Sequence, residues 1–190
     1  MRLYMVHRLE IPELIWFDKL AEHELTDEID NVYITVSCST SSVPYMDGLV
    51  GSVQESLFNS GESIQVITFE VVQYSDNEPY AVIGSSSLCY REDDGIAVFQ
   101  NVRVNSALRG FGLGRFLHDV KIATLFELNV DSCYSVGSSD AGCALLEGAG
   151  FKKDNSYNLD KPVFVSETGN LEVDAHIQKW VQNFNQNNVL

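Results

Sequence analysis

The chain has 190 residues, of which 45% are hydrophobic and 21% are charged, and its formal net charge is -15. This length and composition are typical of a globular protein with one sizeable core, so we expect a single domain over residues 1–190. A strongly negative protein repels phosphate backbones. Direct nucleic-acid binding is therefore disfavoured, and a cationic partner would be attracted.

The N-terminal segment contains Arg2, Arg8 and Glu10 among its apolar residues, so it lacks the uninterrupted apolar stretch of a signal peptide. No later apolar run is long enough to span a membrane, and we expect a cytoplasmic protein with no membrane partner. The cysteines lack a C-x-x-C pair, which argues against a zinc site and predicts free thiols. They are Cys38, Cys89, Cys133 and Cys143.

The N-terminal third predicts strands, helices and one loop. A first strand is expected over Arg2–Leu9, and a helix can begin at Pro12, where the missing N–H is not needed. The segment Thr35–Tyr45 is rich in serine and threonine and predicts a loop after a short strand at Val32–Val36. A second helix is predicted over Asp47–Phe58.

The middle of the chain is rich in β-branched and aromatic residues and predicts three strands, Ile64–Tyr74, Tyr80–Tyr90 and Ile96–Val104. Short polar turns separate them, which predicts an antiparallel meander. An amphipathic helix follows, because apolar residues recur at helical spacing. They are Leu113, Phe116, Leu117, Val120 and Ala123.

The C-terminal third continues with a strand over Ser132–Gly137 and a helix that Ser139 or Asp140 caps and that Gly148–Gly150 end. Strands are expected near Phe151 and at Val163–Val165. A terminal helix is expected over Glu172–Phe184, about residues 171–185, followed by a frayed polar tail. The fold class predicted is α/β in the α+β sense: a mixed, mostly antiparallel sheet flanked by helices.

The most informative segment is the turn Arg109-Gly110-Phe111-Gly112-Leu113-Gly114, which joins a strand to the amphipathic helix. The first turn of a helix presents unpaired N–H groups and the positive end of the helix dipole, and both favour an anion. Glycines also let the backbone approach a pyrophosphate closely. A dinucleotide fingerprint would need glycine where the chain has Arg115, and no Walker motif is present.

The turn resembles the coenzyme-binding motif [QR]-x-x-G-x-[GA] of the GNAT superfamily of acyl-CoA-dependent N-acyltransferases, matched here by Arg109, Gly112 and Gly114. Upstream, Val104–Gly110 is similar to V-x-P-x-x-R-G except that Ser106 replaces the proline. Downstream, Ser139–Phe151 resembles N-x-x-A-x-x-L-Y-x-x-x-G-F in its glycines and apolar positions. The resemblance covers roughly residues 80–165.

The resemblance implies a coenzyme site. The N–H groups of Phe111, Gly112, Leu113 and Gly114, beside Arg109 and Gly110, would hold the pyrophosphate of acetyl-CoA. The strand edge at Val102, Arg103 and Val104 would pair with the pantetheine amides and supply an oxyanion donor. Ser139 stands where the family often has an asparagine that touches the coenzyme, although a helix N-cap also explains it. The side chains of Arg103 and Arg115 are expected to be solvated surface charges.

The catalytic positions depart from the family. The tyrosine that commonly protonates the departing thiolate is replaced by Leu146, so another group would have to act as the acid. Tyr134 and Cys143 are candidates, although both residue types are more often buried structural residues. Gln100 stands where relatives carry a basic glutamate and could orient a water molecule. His118 is expected to be exposed and not catalytic.

The first functional hypothesis is an N-acetyltransferase that uses acetyl-CoA to acetylate a primary amine of a small molecule or peptide by direct attack. The negative charge mildly favours a cationic acceptor such as a polyamine, an aminoglycoside or a lysine-bearing peptide. The alternative is an inactive protein of this fold that binds acyl-CoA or acts through protein contacts. A third hypothesis is an acidic inhibitor of a basic partner, for which Glu22–Asp30 is the clear acidic cluster.

Overall fold

The computed structural model describes residues 7–10, 32–75, 78–110 and 112–188. The predicted helix from Pro12, the acidic cluster Glu22–Asp30 and Phe111 lie outside these residues, as does most of the predicted first strand. Within the described residues, nine strands form one sheet. They are β1 (His7–Glu10), β2 (Val32–Ser42), β3 (Ser63–Ser75), β4 (Glu78–Arg91), β5 (Ile96–Phe99), β6 (Arg103–Val104), β7 (Ser132–Val136), β8 (Lys152–Asp154) and β9 (Val163–Glu167).

The described helices lie between and after these strands: α1 (Gly48–Leu57), α2 (Leu113–Glu127), α3 (Asp140–Gly148) and α4 (Ala175–Asn188). The sheet order is β1-β2-β3-β4-β5-β7-β9-β8, and β6 also pairs with β4. All pairs are antiparallel except β5 with β7. The predicted mixed, mostly antiparallel sheet flanked by helices is therefore confirmed. No helix in the described ranges is long and apolar enough to cross a membrane.

The predicted loop over Thr35–Tyr45 is wrong, because β2 continues to Ser42 and pairs with β3 along its whole length. Serine and threonine made this segment look like a loop, but threonine is β-branched and suits a strand whose backbone groups are paired. Ile34 and Val36 are buried in the core, so alternation was present at the start of the strand. The loop begins only at Val43.

Two core clusters lie on the two faces of the sheet. The larger one includes Phe99 and Leu117 and joins the sheet to α2 and α4. The smaller one includes Val98 and Val53 and joins the other face to α1. Gly84 on β4 has a packing role, since a Cβ there would lie 3.1 Å from the side chains of Leu113 and Leu117. Glycine at this position lets α2 sit directly on the strand.

The terminal helix begins three residues later than predicted, at Ala175 in place of Glu172. The Asp174 carboxylate accepts hydrogen bonds from the N–H groups of His176 and Ile177, at 2.8 and 3.3 Å. This is the arrangement of a helix N-cap, which fixes the first turn of α4. The other end of the helix extends to Asn188, beyond the predicted end at Phe184.

Candidate functional site

The glycine turn leads directly into the N-terminus of α2. Gly112 caps the helix with a left-handed backbone (φ 92°), and its carbonyl accepts the first helical hydrogen bond from the N–H of Phe116 at 3.0 Å. A left-handed φ favours glycine, because other residues are strained there. The N–H groups of the next three residues have no acceptor within the helix. The turn thus presents backbone donors at the positive end of a 15-residue helix.

The strand before this turn is interrupted, which corrects the single predicted strand Ile96–Val104. Leu88 pairs with Phe99, whereas Ser85 pairs with Arg103, so the β5–β6 side contains one more residue than β4 between these pairs. Asn101 and Val102 accommodate the extra residue and belong to no strand. This is the geometry of a β-bulge, which redirects a strand and leaves backbone groups unpaired.

The sheet opens beyond the bulge. β7 pairs in parallel with β5 only as far as Phe99 and Ser135, after which β7 follows β9 while β6 remains with β4. The space between β6 and β7 is a cavity of about 690 Å³, which α2 and α3 flank. The predicted coenzyme residues that line it are Val102, Arg103, Val104, Arg109, Gly110, Gly114 and Ser139, and Gln100 lines it as well.

Among the described residues, two of the predicted coenzyme residues do not line this cavity. Gly112 lies beside it as the helix N-cap, and the Leu113 side chain points into the core with 2% exposure. Phe111 lies outside the described residues. The Arg109 side chain is exposed and donates from Nε to the Val104 carbonyl at 3.3 Å, which ties the turn to β6.

The cavity also contains two titratable residues of α2 that were not predicted to belong to a site. Lys121 is 1% exposed; its Nζ donates to the Gln100 carbonyl at 3.0 Å and lies 4.3 Å from the centre of the Phe99 ring. Burial lowers the pKa of Lys121 to about 7. A sequence signal existed, because Lys121 follows Leu113 and Leu117 at intervals of four residues on the buried stripe.

The prediction that His118 is exposed is wrong, because the residue is 2% exposed. It packs edge-on against Phe99 and Phe151, with centroid distances of 5.5 and 6.0 Å, and neither ring nitrogen has a hydrogen-bond partner among the described residues. Burial, with smaller contributions from Lys121 and Arg115, lowers the pKa of His118 to about 2. The imidazole is therefore neutral near pH 7. The buried face of α2 is wider than its apolar residues alone indicate.

A second pocket, of about 180 Å³, lies against the opposite face of the sheet. The Thr68, Glu70 and Ser85 side chains contribute to its wall, and Glu70 is the carboxylate among its lining residues. Gln100, Asn101 and Arg103 line both this pocket and the larger cavity. The two spaces therefore adjoin the same bulge from opposite faces.

Gln100 forms hydrogen bonds on both faces of the sheet. Its backbone carbonyl accepts from Lys121, while its side-chain Oε1 accepts from the hydroxyl of Ser87. The residue is 4% exposed, and its Nε2 has no hydrogen-bond partner in the part of the chain that the structure describes. A buried amide donor without a partner is costly, which marks the position as one suited to a polar ligand atom or water.

The two candidate acids lie away from the large cavity. Tyr134 packs with the smaller core cluster, and burial and nearby Tyr157 raise its pKa. Cys143 lines a separate hollow of about 370 Å³ beside α3. Leu146, at the position of the family tyrosine, does line the large cavity. All four cysteines are free, as predicted.

The remaining predicted residues have structural contacts as well. The Ser139 hydroxyl accepts from the N–H of Gly142 at 3.1 Å, so it caps α3 as well as lining the cavity. Arg103 is exposed, as expected for its side chain. Arg115 is not simply solvated, because its Nε donates to the buried Asp119 carboxylate at 2.9 Å.

No protein-family model and no curated protein matches the chain. Several solved structures do match it. A Staphylococcus aureus acetyltransferase of the GNAT family is 18% identical over 54% of this chain and 68% of its own, with a TM-score of 0.44. A Klebsiella pneumoniae protein assigned as an acyl-CoA N-acyltransferase is 15% identical over 87% of this chain and 98% of its own, with a TM-score of 0.46.

A third solved structure is the spermidine N-acetyltransferase of Vibrio cholerae in complex with CoA and spermine. It is 18% identical over 55% of this chain and 67% of its own, with a TM-score of 0.44. Identities this low relate to the fold alone, so what the cavity binds has to be inferred from its own residues.

Proposed function

We propose that this chain is an N-acetyltransferase that transfers an acetyl group from acetyl-CoA to a primary amine of a small molecule or peptide. The observation that carries this proposal is the cavity between β6 and β7, which extends from the N-terminus of α2 to the bulge. An anion-binding helix end at one side of the cavity and an open strand edge along it suit a long ligand that begins with a pyrophosphate and continues with amides.

In this proposal the backbone donors of Gly112, Leu113 and Gly114, together with Phe111, hold the pyrophosphate, and Arg109 keeps the turn against β6. The pantetheine amides pair with residues 102–104, which have no strand partner on the cavity side among the described residues. A backbone N–H of the same segment stabilises the oxyanion that forms when the amine attacks the thioester. No covalent enzyme intermediate is required.

The pocket on the opposite face supports an amine acceptor. Its lining hydroxyls and the Glu70 carboxylate suit a cationic ligand, and Glu70 is half-buried, where an ion pair is screened less than on an open surface. The Gln100 amide, which Ser87 holds, lies between this pocket and the coenzyme cavity. It is suited to orient a water molecule that receives the proton of the attacking amine.

A second candidate function is acyl-CoA binding without catalysis, with the protein acting through contacts with another protein. Leu146 favours it, because a leucine in the cavity can neither donate a proton nor hydrogen-bond the sulfur. The same coenzyme site is required for both functions. Acceptor-dependent release of free coenzyme A distinguishes them.

The first test is calorimetric titration of acetyl-CoA into the native protein and into a Gly112→Glu, Gly114→Glu variant. We expect micromolar binding by the native protein and at least a hundredfold loss in the variant, because two carboxylates would repel the pyrophosphate and one would strain a left-handed position. No binding by the native protein would refute the proposed function.

The matched control is a Gly61→Glu, Gly169→Glu variant. Gly61 also has a positive φ (85°), and an added Cβ has nothing within 4 Å at either position. This control carries the same added charge and a similar backbone strain, and neither residue lines the cavity. We expect it to bind acetyl-CoA like the native protein. A polyamine, an aminoglycoside and a lysine-bearing peptide are then screened as acceptors by the release of free thiol.

A further inference from the structure

Lys121 is a buried lysine for which the described residues provide no anionic partner. Its contacts are the neutral Gln100 carbonyl and the Phe99 ring, and no carboxylate of the described residues forms an ion pair with it. Buried charges in proteins are normally paired, because burying an isolated charge is costly. The side chain nevertheless lines the cavity, where a ligand could provide the missing negative charge.

The position of Lys121 relative to the helix N-terminus indicates which part of a coenzyme would reach it. Gly114, His118 and Lys121 line the cavity along α2. At 1.5 Å per residue, Lys121 lies about 10 Å along the helix axis from Gly114, away from the proposed pyrophosphate site. The thioester end of a bound acyl-CoA extends in this direction, towards the bulge that also borders the acceptor pocket.

We propose that Lys121 is the proton donor to the departing thiolate of coenzyme A, in the role left open by Leu146; this inference rests on the proposed function. An ammonium has three donors, and the Gln100 carbonyl occupies only one of them. Leu146 lines the same cavity, so the two side chains belong to one site. The lysine thus supplies from α2 the acidic proton that α3 lacks.

The step balances as follows. The amine nitrogen forms a bond to the thioester carbonyl carbon, and collapse of the tetrahedral intermediate breaks the carbon–sulfur bond. The sulfur keeps the electron pair and takes a proton from Nζ of Lys121, which becomes a neutral amine. The acceptor nitrogen loses one proton through water, and one proton from solvent restores the lysine. The products are an N-acetyl amine and free coenzyme A.

The surroundings of Lys121 suit this role. Its pKa is lowered to about 7 by burial, and a thiol has a pKa of about 8.5, so proton transfer to the thiolate is favourable. The titratable groups nearby are His118 and the Arg115–Asp119 pair on α2 and Cys133 on β7. His118 is neutral near pH 7, and burial raises the pKa of Cys133, so neither competes for the proton.

The test measures ionisation of the thiol of coenzyme A, followed by ultraviolet absorbance of the thiolate as pH rises. It compares free coenzyme A, coenzyme A bound to the native protein, and coenzyme A bound to Lys121→Met. Methionine retains the length and apolar contacts of the side chain and removes the charge. At about pH 6.5, where Lys121 with its pKa of about 7 is largely protonated, we expect about a tenfold higher ratio of thiolate to thiol on the native protein than on Lys121→Met, a difference of one pKa unit.

Thr124→Val is the matched control, because Thr124 is a buried polar residue of the same helix whose hydroxyl donates to the Val120 carbonyl, and it does not line the cavity. It should leave the ionisation of bound coenzyme A unchanged. Equal thiolate fractions on Lys121→Met and the native protein, with equal coenzyme affinity, would overturn the proposal and leave the proposed function intact. Failure of the native protein to bind coenzyme A would overturn both.

If Lys121→Met does not fold, the ionisation of coenzyme A bound to the native protein, compared with that of free coenzyme A, still tests the proposal. A thiolate fraction of bound coenzyme A at about pH 6.5 that is equal to or lower than that of free coenzyme A would overturn the proposal. Once an acceptor is known, Lys121→Met should lower kcat about a hundredfold with acetyl-CoA. The decrease in kcat should be smaller with the acetyl thioester of a more acidic coenzyme analogue, because its thiolate needs less help from an acid to leave. Adding Leu146→Tyr to Lys121→Met should restore part of kcat, which a purely structural role of the lysine would not explain.

Discussion

The two faces of the sheet at the bulge differ in how their polar groups are satisfied. On the α2 face, Lys121 has a neutral partner and both nitrogens of His118 have none among residues 7–10, 32–75, 78–110 and 112–188, although each residue is almost fully buried. On the opposite face, Glu70 and Ser85 are only partly buried and line a pocket. The first face contains buried polar groups that cost stability, whereas the second keeps its polar groups accessible.

This difference separates the two proposed ligands by charge. The helix N–H groups and the buried lysine on the α2 face would suit the proposed pyrophosphate and thiolate, both of which are anions. A carboxylate and several hydroxyls on the opposite face suit a cationic amine. The ligands meet only at residues 100–103, where the strand is interrupted. Arg103 lines both spaces, so Glu70 and Lys121, each of which lines only one of them, are the groups that would distinguish the proposed ligands by charge.

The largest effect is expected from removing the unsatisfied imidazole by His118→Phe. Its folded pKa, about 2, lies below the unfolded value of 6.5, so the unfolded state binds the proton more tightly. The native protein should therefore lose stability as pH falls below about 6.5, by about 1.4 kcal/mol per pH unit. The variant should be about 1 kcal/mol more stable at pH 7 and about 3 kcal/mol or more at pH 4.

Chemical denaturation of both proteins at pH 7 and pH 4 measures this effect, and acetyl-CoA titration at pH 7 is the functional control. We expect coenzyme affinity within about threefold of native, since a phenylalanine fits between Phe99 and Phe151 and removes no hydrogen bond. A variant that is less stable than the native protein at both pH values would contradict the prediction. It would mean that the imidazole has a partner in solution.

A smaller effect, on the acceptor alone, is expected from Glu70→Gln. Loss of a charge-assisted contact to a cationic amine should raise the acceptor KM about tenfold to a hundredfold and leave the affinity for acetyl-CoA unchanged. Glu55→Gln is the control, because Glu55 is exposed on α1, does not line the pocket and changes the net charge equally. Steady-state kinetics with a polyamine acceptor measures both. Equal KM values in the two variants would place the cation elsewhere.

The sequence indicated the glycine turn at the start of α2 but not the pocket on the opposite face of the sheet. The glycine turn is local, since the residues that shape the helix N-terminus are contiguous, and Gly112 does have the left-handed backbone that the motif requires. The bulge could not be predicted, because it depends on the registers of β5 and β6 against β4. The acceptor-side pocket likewise combines residues of four separate segments.

Two wrong predictions have a common physical cause. His118 was assigned to the solvent, and Thr35–Tyr45 to a loop, because polar residues were treated as surface residues. In the fold, β2 pairs with β3 along its whole length and with β1 over Tyr33–Val36, and this backbone pairing overrides its polar composition. α2 lies between the sheet and α4, so more than one stripe of its surface is buried. Tertiary packing, and not local pattern, decides both cases.

The smallest effect is expected at Ser139, where the α2-side cavity meets the first turn of α3. Its hydroxyl already accepts from the N–H of Gly142, so we expect it to stabilise α3 more than it binds coenzyme. Ser139→Ala should lower the free energy of unfolding by about 1 kcal/mol, because it removes the N-cap, and should change acetyl-CoA affinity by less than about threefold.

Ser139→Asp should separate these two roles. Aspartate is also a good N-cap and interacts favourably with the helix dipole, so stability should stay near the native value. Its added negative charge borders the cavity, so acetyl-CoA affinity should fall by about tenfold. Denaturation and calorimetry on the same two variants measure both quantities. If Ser139→Ala kept its stability and lost coenzyme binding instead, the hydroxyl would be a direct ligand contact, and the coenzyme would extend to α3 by a side-chain hydrogen bond.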